Sequence, residues 1–375
     1  MDLSVTYVKP ACADGVYRIK AKGCVLGILF WGCEAGILPD WTAIAYVPLI
    51  DGKGCFRFIG GRAVPPEATR VYARLVADDG TPGGELFVPI PPEQKAELEQ
   101  PVVRFVSMSD LHLTAKTWKL TSILFAAKDA DALLLTSDLV NDGQSEQLLR
   151  FDACLRETVS IPVFPNCGNH DLPLQPEKTP GFSYDGLEDA VLKRAEGFGV
   201  TMQRPLPGFY VAEFGFTEII GVACVTDTRK FKFPAGVMDA LEAHLAQPSA
   251  RRRILLCHAP LLAHNPKRHE KQPYLNLDHR LQKLIDGQRD LIFLSGHLHH
   301  SPNGATGNVE YDFERNNVYI SNGSACPNTA KWTDAIIPEG WTSGVYTRLS
   351  LSEKQTEVQF ITLSGKKLAR GYYLF

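Results

Sequence analysis

Five short apolar segments between residues 102 and 294 each run into a block that contains aspartate, asparagine or histidine. Apolar runs of this length are typical of buried strands, and the intervals at 115–128 and 144–158 have helical spacing. In layered α/β folds, ligands bind outside the carboxyl ends of the strands. We therefore expect the five blocks to meet at one edge of the fold. They are Ser109-Asp110-Leu111-His112, Ser137-Asp138, Gly168-Asn169-His170-Asp171, His258 and Gly296-His297-Leu298-His299.

The first block offers a carboxylate and an imidazole two residues apart, directly after a strand-like run at 102–108. In an extended chain, residues two apart point to the same face. Asp110 and His112 would then aim at one point, as a ligand pair for a divalent or trivalent metal. An isolated Asp-x-His pair is a weak signal, and it gains weight here because the design recurs downstream.

The candidate ligands are too many for one ion that also leaves room for water. They fit two ions that share one bridging carboxylate, an arrangement that can clamp the attacking and leaving oxygens of an in-line displacement. None of them is a cysteine, which disfavours a closed thiolate zinc site, and the donor mix suits Mn, Fe or Zn. The set is Asp110, His112, Asp138, Asn169, His258, His297 and His299, with His170 beside it.

Composition sets the class of protein. A hydrophobic fraction of 45% and a charged fraction of 22% are ordinary for a globular chain, and the net charge of -3 makes a nucleic-acid partner unexpected. The start of the chain has no signal-like segment, and no apolar run is long enough to span a bilayer. The nine cysteines lack metal-ligand spacing. We interpret them as reduced thiols of a cytoplasmic protein that has no membrane partner.

Residues 1–88 are expected to form a small all-β sandwich domain. Runs rich in aromatic and β-branched residues at 16–21, 41–47, 55–58 and 69–76 are separated by turns that contain glycine and proline. The stretch 65–72 loosely resembles the start of a fibronectin type III strand. The domain could serve as a packing module or as a binding module. A polar, proline-flanked linker at 89–101 would join it to a catalytic domain at 102–375.

The order and spacing of the five blocks resemble those of the calcineurin-like metallophosphoesterases, over residues 102 to about 365. The resemblance implies a four-layer α/β/β/α sandwich of two facing mixed sheets. By the same resemblance, His170 would donate a proton to the leaving group or clamp the phosphate. It also implies a first metal bound by Asp110, His112, Asp138 and His299, and a second bound by Asp138, Asn169, His258 and His297.

Two positions depart from the family pattern. The second block usually begins with glycine, and here Ser137 stands before Asp138. The purple acid phosphatases carry a tyrosine three residues after that aspartate, where this chain has Asn141. A tyrosinate-coloured ferric site is therefore not expected. The compact bacterial members that cleave cyclic nucleotides are more similar in the catalytic half, although they usually lack an N-terminal β domain.

Some neighbouring polar residues are further candidates. Asp171 and Asn141 could orient metal ligands, or could serve only in turns. Lys267, Arg268 and His269 follow His258 in sequence, so we expect them on the metal side of the fold, where they could contact substrate phosphate.

These observations predict a metal-dependent phosphoester hydrolase with a small-molecule substrate. We expect a phosphodiesterase for a nucleotide-like molecule, with in-line attack by a metal-bound hydroxide. A phosphomonoesterase acting on a small molecule or a phosphoprotein is the alternative. A nuclease is less expected without a long basic surface, and a catalytically inactive binding protein would have no need of the whole ligand set.

Overall fold

The computed structural model describes most of the chain. The described residues are 3–8, 16–38, 44–57, 64–65, 67–90, 100–113, 117–174, 180–225, 231–261, 279–299, 309–312, 315–326 and 344–374.

The N-terminal region is all-β, as predicted. It contains a three-stranded sheet of order β1-β2-β6 and a five-stranded sheet of order β4-β3-β7-β8, in which β5 also pairs with β3. Buried side chains from both sheets, such as Ile19 and Trp31, form one apolar cluster that also includes Ile90. The strands are β1 (Leu3–Val8), β2 (Val16–Ala21), β3 (Cys24–Cys33), β4 (Gly36–Ile37), β5 (Ala45–Pro48), β6 (Lys53–Arg57), β7 (Arg70–Ala77) and β8 (Pro82–Pro89).

A six-stranded mixed sheet carries the first three blocks. Its order is β11-β10-β9-β19-β20-β21, with β9, β10 and β11 parallel. Proline cannot donate to a strand ladder, and β11, which Pro162 precedes and Pro165 ends, lies at the sheet edge. The strands are β9 (Val103–Met108), β10 (Ala132–Leu135), β11 (Val163–Pro165), β19 (Val345–Leu351), β20 (Gln355–Thr362) and β21 (Lys367–Leu374).

A seven-stranded sheet carries the other two blocks. Its order is β12-β13-β14-β15-β16-β18-β17, and β14, β15, β16 and β18 are parallel. The strands are β12 (Thr201–Leu206), β13 (Phe209–Phe214), β14 (Thr217–Val222), β15 (Arg252–Leu256), β16 (Ile292–Ser295), β17 (Val309–Asp312) and β18 (Asn317–Ser321).

Five α-helices lie in the described part of the chain. The helices predicted at 115–128 and 144–158 are confirmed as α1 (Thr117–Leu124), which a 3₁₀ turn extends to Ala127, and α2 (Ser145–Thr158). The others are α3 (Tyr184–Glu196), α4 (Val237–Leu245) and α5 (His279–Asp286). Among these helices, none combines the length and the apolar character that a membrane crossing requires.

The packing of the core explains why these strands are nearly continuous apolar runs in the sequence. Phe105 and Leu134 of the six-stranded sheet cluster with Ile254 and Leu294 of the seven-stranded sheet. Residues at the intervening positions, such as Val106, pack in a second cluster with the helices. Strands that are buried on both faces lack period-2 alternation. The aspartate, asparagine and histidine residues of the five blocks therefore stand out where these strands end.

Candidate metal centre

The five blocks meet although they come from two different sheets. Three of them follow β9, β10 and β11, and two follow β15 and β16. The structure brings together two groups of side chains in which every candidate ligand atom lies within 4.8 Å of the others. The first group is Asp110, His112, Asp138 and His299, and the second is Asp138, His258 and His297.

In the first group, three imidazole and carboxylate atoms face one another closely. Nε2 of His299 lies 3.0 Å from Oδ1 of Asp110 and 3.1 Å from Nε2 of His112. Nε2 of His112 is 3.7 Å from Oδ2 of Asp138. Asp110, His112 and Asp138 are buried and His299 is partly exposed, so the group opens to solvent on one side.

The second group shares Asp138 with the first. Nε2 of His258 lies 3.3 Å from Oδ2 of Asp138 and 3.2 Å from Oδ1 of Asn169. Nδ1 of His258 donates to the carbonyl oxygen of Thr136, which leaves Nε2 as the nitrogen that can bind a metal. Asn169, which follows β11, is thereby beside this group.

In each aspartate, one carboxylate oxygen accepts hydrogen bonds from protein groups and the other lies close to the imidazoles. Oδ2 of Asp110 accepts hydrogen bonds from the Ser109 hydroxyl (2.6 Å) and the His297 amide (3.0 Å), while Oδ1 faces His299. Oδ1 of Asp138 accepts from the His170 amide at 2.8 Å. Oδ2 of Asp138 is buried and has no hydrogen-bond partner of good geometry among the described atoms. A metal ion would satisfy this oxygen, and the O and N donors fit such an ion.

The local backbone corrects one step of the sequence argument. Asp110 and His112 do not continue an extended strand, because β9 ends at Met108 and both residues have positive φ, 55° and 43°. Asp138, His297 and His299 also have positive φ, between 51° and 72°. Non-glycine residues rarely adopt this conformation, and such strain concentrates at functional sites. Left-handed turns, not strand alternation, aim these side chains.

Two glycines are required by close approach of neighbouring blocks. A Cβ atom at Gly296 would lie 1.7 Å from Oγ of Ser109. One at Gly168 would lie 2.2 Å from Oδ1 of Asp138. The third and fifth blocks therefore begin with glycine because a side chain there would displace the carboxylates.

Burial and neighbouring charges determine which histidines of the centre carry a proton. Burial lowers the pKa of His112 to about 4 and that of His297 to about 3. Burial also opposes a charge on His258, but Asp138 outweighs it and raises the pKa of that imidazole to about 10. In turn, His258 holds the pKa of Asp138 far below its usual range against the effect of burial. Two imidazoles are thus neutral and ready to bind a cation, and a proton occupies His258.

The remaining candidates have different surroundings. Nδ1 of His170 contacts the backbone carbonyl of Asn141 at 2.7 Å. Asn141 thus contacts His170 through its main-chain carbonyl, while its side-chain amide donates to Asp142. The Asp171 carboxylate accepts from the amides of Leu139, Val140 and Gly168, and so ties the second block to the third. Burial raises the pKa of Asp171 to about 7. Lys267, Arg268 and His269 lie outside the described residues.

Two residues near the centre, Phe231 and Asn322, were not predicted from the sequence. The ring of Phe231 is parallel to that of His258, with centroids 6.2 Å apart, and meets His297 edge-on at 4.7 Å. Phe231 follows no recognisable signal. Asn322 does: it comes after the apolar residues 318–320 of β18, the same pattern that marks the five blocks.

Comparison with known proteins identifies the family. The family model for calcineurin-like phosphoesterases matches residues 103–301, which include all five blocks. The chain belongs to this family and is a metal-dependent phosphoesterase with an N-terminal all-β region. No curated protein matches the chain.

Several solved structures are similar to the chain at low identity. One is a conserved protein from Streptococcus pneumoniae described as a predicted phosphoesterase, with 14% identity and a TM-score of 0.37, covering 73% of this chain and 98% of its own. Yfce, a phosphoesterase from E. coli, has 12% identity and a TM-score of 0.32, with coverage of 71% and 97%. TT1561 of Thermus thermophilus has 14% identity and a TM-score of 0.40, with coverage of 70% and 99%.

Proposed function

We propose that this enzyme binds two metal ions, Mn, Fe or Zn, with Asp138 shared between them. The first ion would be held by Asp110, His112, Asp138 and His299. The second would be held by Asp138, Asn169, His258 and His297. The observation that carries the proposal is the membership of Asp138 in both groups, with a buried Oδ2 that lies near the imidazoles of His112 and His258.

The residues of the chain then have separate tasks in phosphoester hydrolysis. Two bound cations supply positive charge that acidifies a water molecule and neutralises phosphate oxygens. The Ser109 hydroxyl and the His297 amide hold Asp110 in place, and the His170 amide does the same for Asp138. The carbonyl oxygen of Asn141 holds the Nδ1 proton of His170, so Nε2 is the atom that would donate to the leaving alkoxide, and it can do so only when the imidazole carries its second proton. Phe231 gives the second group an apolar flank that limits access of water.

We propose a phosphodiester of a small, nucleotide-like molecule as the substrate. The support is the resemblance of the five blocks to the bacterial members that cleave cyclic nucleotides, together with the half-buried aromatic ring of Phe231 beside the second group. An apolar ring next to a phosphate site offers a surface on which a base or another flat group can stack.

The test is a comparison of aryl monoesters and bis-aryl diesters after removal of metal and reconstitution with Mn, Fe, Zn or Mg. We expect a kcat/KM for the diester at least about tenfold above that for the monoester with the best metal, a difference of about 1.4 kcal/mol in transition-state stabilisation. A preference for the monoester would overturn the substrate class and leave the metal dependence intact. Equal activity of the metal-free and reconstituted enzyme would overturn the metal centre itself.

We also propose the architecture that the resemblance implies. Residues 1–88 would form a fibronectin III-like domain, 89–101 a linker and 102–375 a four-layer α/β/β/α domain. The support is that the apolar cluster of the N-terminal sheets shares no residue with the clusters formed from residue 103 onward in the described chain. We propose a cytoplasmic location on the cysteine content alone.

A further inference from the structure

Two buried asparagines connect the six- and seven-stranded sheets at their metal-facing edge. The first, Asn322, follows β18 of the seven-stranded sheet. Its Nδ2 donates to Oγ of Ser107 at 2.7 Å and to Oγ1 of Thr136 at 2.8 Å, and its Oδ1 accepts from Oγ1 of Thr347 at 2.6 Å. These partners lie in or directly after β9, β10 and β19, so one side chain contacts three strands of the opposite sheet.

The second asparagine makes the reciprocal connection. Asn166 follows β11 of the six-stranded sheet, and its Nδ2 donates to the carbonyl oxygens of Val222 (3.2 Å) and Leu256 (3.0 Å) in β14 and β15. Asn166 is 1% exposed and Asn322 is 0% exposed. Each asparagine thus reaches from its own sheet into the other.

The partners of the two asparagines stand just ahead of the metal-facing residues in sequence. Ser107 lies three residues before Asp110, and Thr136 lies two before Asp138. The carbonyl of Thr136 also holds Nδ1 of His258 at 3.1 Å. On the other sheet, the main-chain amide of Asn322 donates to the carbonyl of Ser295, two residues before His297. A shift of Asn322 would therefore move residues of both groups, and a shift of Asn166 would move Leu256, two residues before His258 of the second group.

We propose that Asn166 and Asn322 are positioning residues that set the separation of the two sheets at this edge, and with it the spacing of the metal-binding side chains. The proposal rests on the ligand set proposed above. Apolar packing between the sheets is not directional, and it leaves their separation free to adjust by small amounts. Hydrogen bonds have narrow distance ranges, and metal sites require ligand distances within about 0.2 Å.

A purely structural role would make any buried asparagine equally important, and the chain contains a matched control. Asn317 stands at the opposite end of β18 and is also 0% exposed. Its Oδ1 accepts from the Leu291 amide (3.0 Å), and its Nδ2 donates to the carbonyls of Ile285 (3.3 Å) and Gln288 (3.1 Å). It has as many side-chain hydrogen bonds as Asn322, but none of them crosses to the other sheet.

The experiment compares Asn322→Leu and Asn317→Leu in the full chain, purified without metal. Thermal unfolding of the metal-free proteins reports the structural cost, and calorimetric titration with Mn²⁺ reports the affinity. We expect both variants to unfold at lower temperature. We expect Asn322→Leu to bind Mn²⁺ about 10–100-fold more weakly than the unsubstituted chain, the usual effect of removing an outer partner of a metal ligand. Asn166→Leu should weaken binding in the same way, and Asn317→Leu should leave it unchanged.

Equal Mn²⁺ affinities for Asn322→Leu and Asn317→Leu would overturn the positioning role. If Asn322→Leu does not fold, Thr347→Val takes its place, because it removes only the donor to Oδ1 of Asn322 and is nearly isosteric. It should weaken binding by about tenfold, the low end of that range, and an unchanged affinity would overturn the proposal. If the unsubstituted chain itself binds no Mn²⁺, the ligand set fails, and that result is distinct from a failure of positioning.

Discussion

The imidazole of His170 donates its Nδ1 proton to the backbone carbonyl oxygen of Asn141, 2.7 Å away. A carbonyl can only accept, so Nδ1 carries a proton and Nε2 is the nitrogen that can act on the substrate, as a proton donor when the imidazole is doubly protonated. We predict that His170→Ala keeps its metal content and lowers kcat by about 10²–10⁴, the range for general acid catalysis. Diesters with an alkyl and with an aryl leaving group provide the measurement, because only the poor alkyl leaving group needs the proton.

The control for this substitution is His244→Ala. His244 lies in α4 and pairs with Glu218 at 3.0 Å, and it belongs to neither metal-facing group. It should leave kcat unchanged for both substrates. An equal loss of kcat for the alkyl and aryl diesters in His170→Ala would remove His170 as the proton donor and leave phosphate binding as its role.

Asp138 is the residue on which both groups depend. We predict that Asp138→Ala binds neither metal, whereas His297→Ala, which disturbs only the second group, keeps about one ion per chain. Elemental analysis of the purified variants measures this. Two ions per chain in Asp138→Ala would show that no bridging carboxylate is needed there.

The place of the centre could be predicted from the sequence because polar residues begin where doubly buried strands end. The strand ends at Met108, Leu135 and Leu256 precede Asp110, Asp138 and His258 by two or three residues. The geometry that unites them could not be predicted. It depends on left-handed backbone at non-glycine residues and on contacts between two sheets, and neither leaves a local signal.

Some of the fold was missed for a similar reason. The strand β3 is ten residues long and mostly buried on both faces, so it shows no alternation and was not predicted as a strand. The polar strand β12, largely exposed, gives no apolar signal at all. Asn322 comes directly after a buried strand, as the five blocks do. Its proposed positioning role depends on a 2.8 Å hydrogen bond to Thr136 of the other sheet, and the sequence gives no sign of that contact.

Metal binding should depend on pH through His258. Because Asp138 raises the pKa of His258 to about 10 in the metal-free chain, a cation must displace a proton from Nε2 at neutral pH. The pKa values of His112 and His297, about 4 and 3, mean that these imidazoles are already neutral. We predict that Mn²⁺ affinity rises by about tenfold per pH unit between about pH 6.5 and 8.5, with release of about one proton.

Calorimetric titration in two buffers of different ionisation enthalpy counts the released protons. An affinity that does not change with pH, or binding without proton release, would show that His258 is neutral before the metal binds. The sign of the effect is the same for any divalent cation, because the competition is between two positive charges for one nitrogen.

Ser137 occupies a backbone conformation suited to glycine. Its φ is 93°, and its buried hydroxyl has no hydrogen-bond partner among the described atoms. Strain of about 1–3 kcal/mol and a similar cost for the unsatisfied hydroxyl outweigh the roughly 0.5–1 kcal/mol of chain entropy that glycine loses on folding. We predict that Ser137→Gly stabilises the metal-free protein by at least about 1 kcal/mol, measured by urea unfolding. Ser137→Ala separates the two causes, because it removes only the hydroxyl. A less stable glycine variant would contradict the strain argument.

The last prediction concerns the N-terminal β region. Its two apolar clusters end at Tyr72 and Ile90, and the first residue of the remaining clusters is Val103. The amide of Val102 donates to the carbonyl of Leu351, so the chain joins the six-stranded sheet at that point. We predict that a chain truncated to start at Glu97 folds, binds two metals and hydrolyses a small chromogenic diester at nearly the full-length rate.

Kinetics on a small and a bulky diester then separate the roles of the N-terminal region. If it is an independent module, truncation leaves kcat and KM unchanged for both substrates. If it forms part of the substrate pocket, truncation raises KM for the bulky diester and spares the small one, because only the larger molecule would reach it. An insoluble truncated chain would mean that the two regions share an apolar interface, and it would contradict their autonomy.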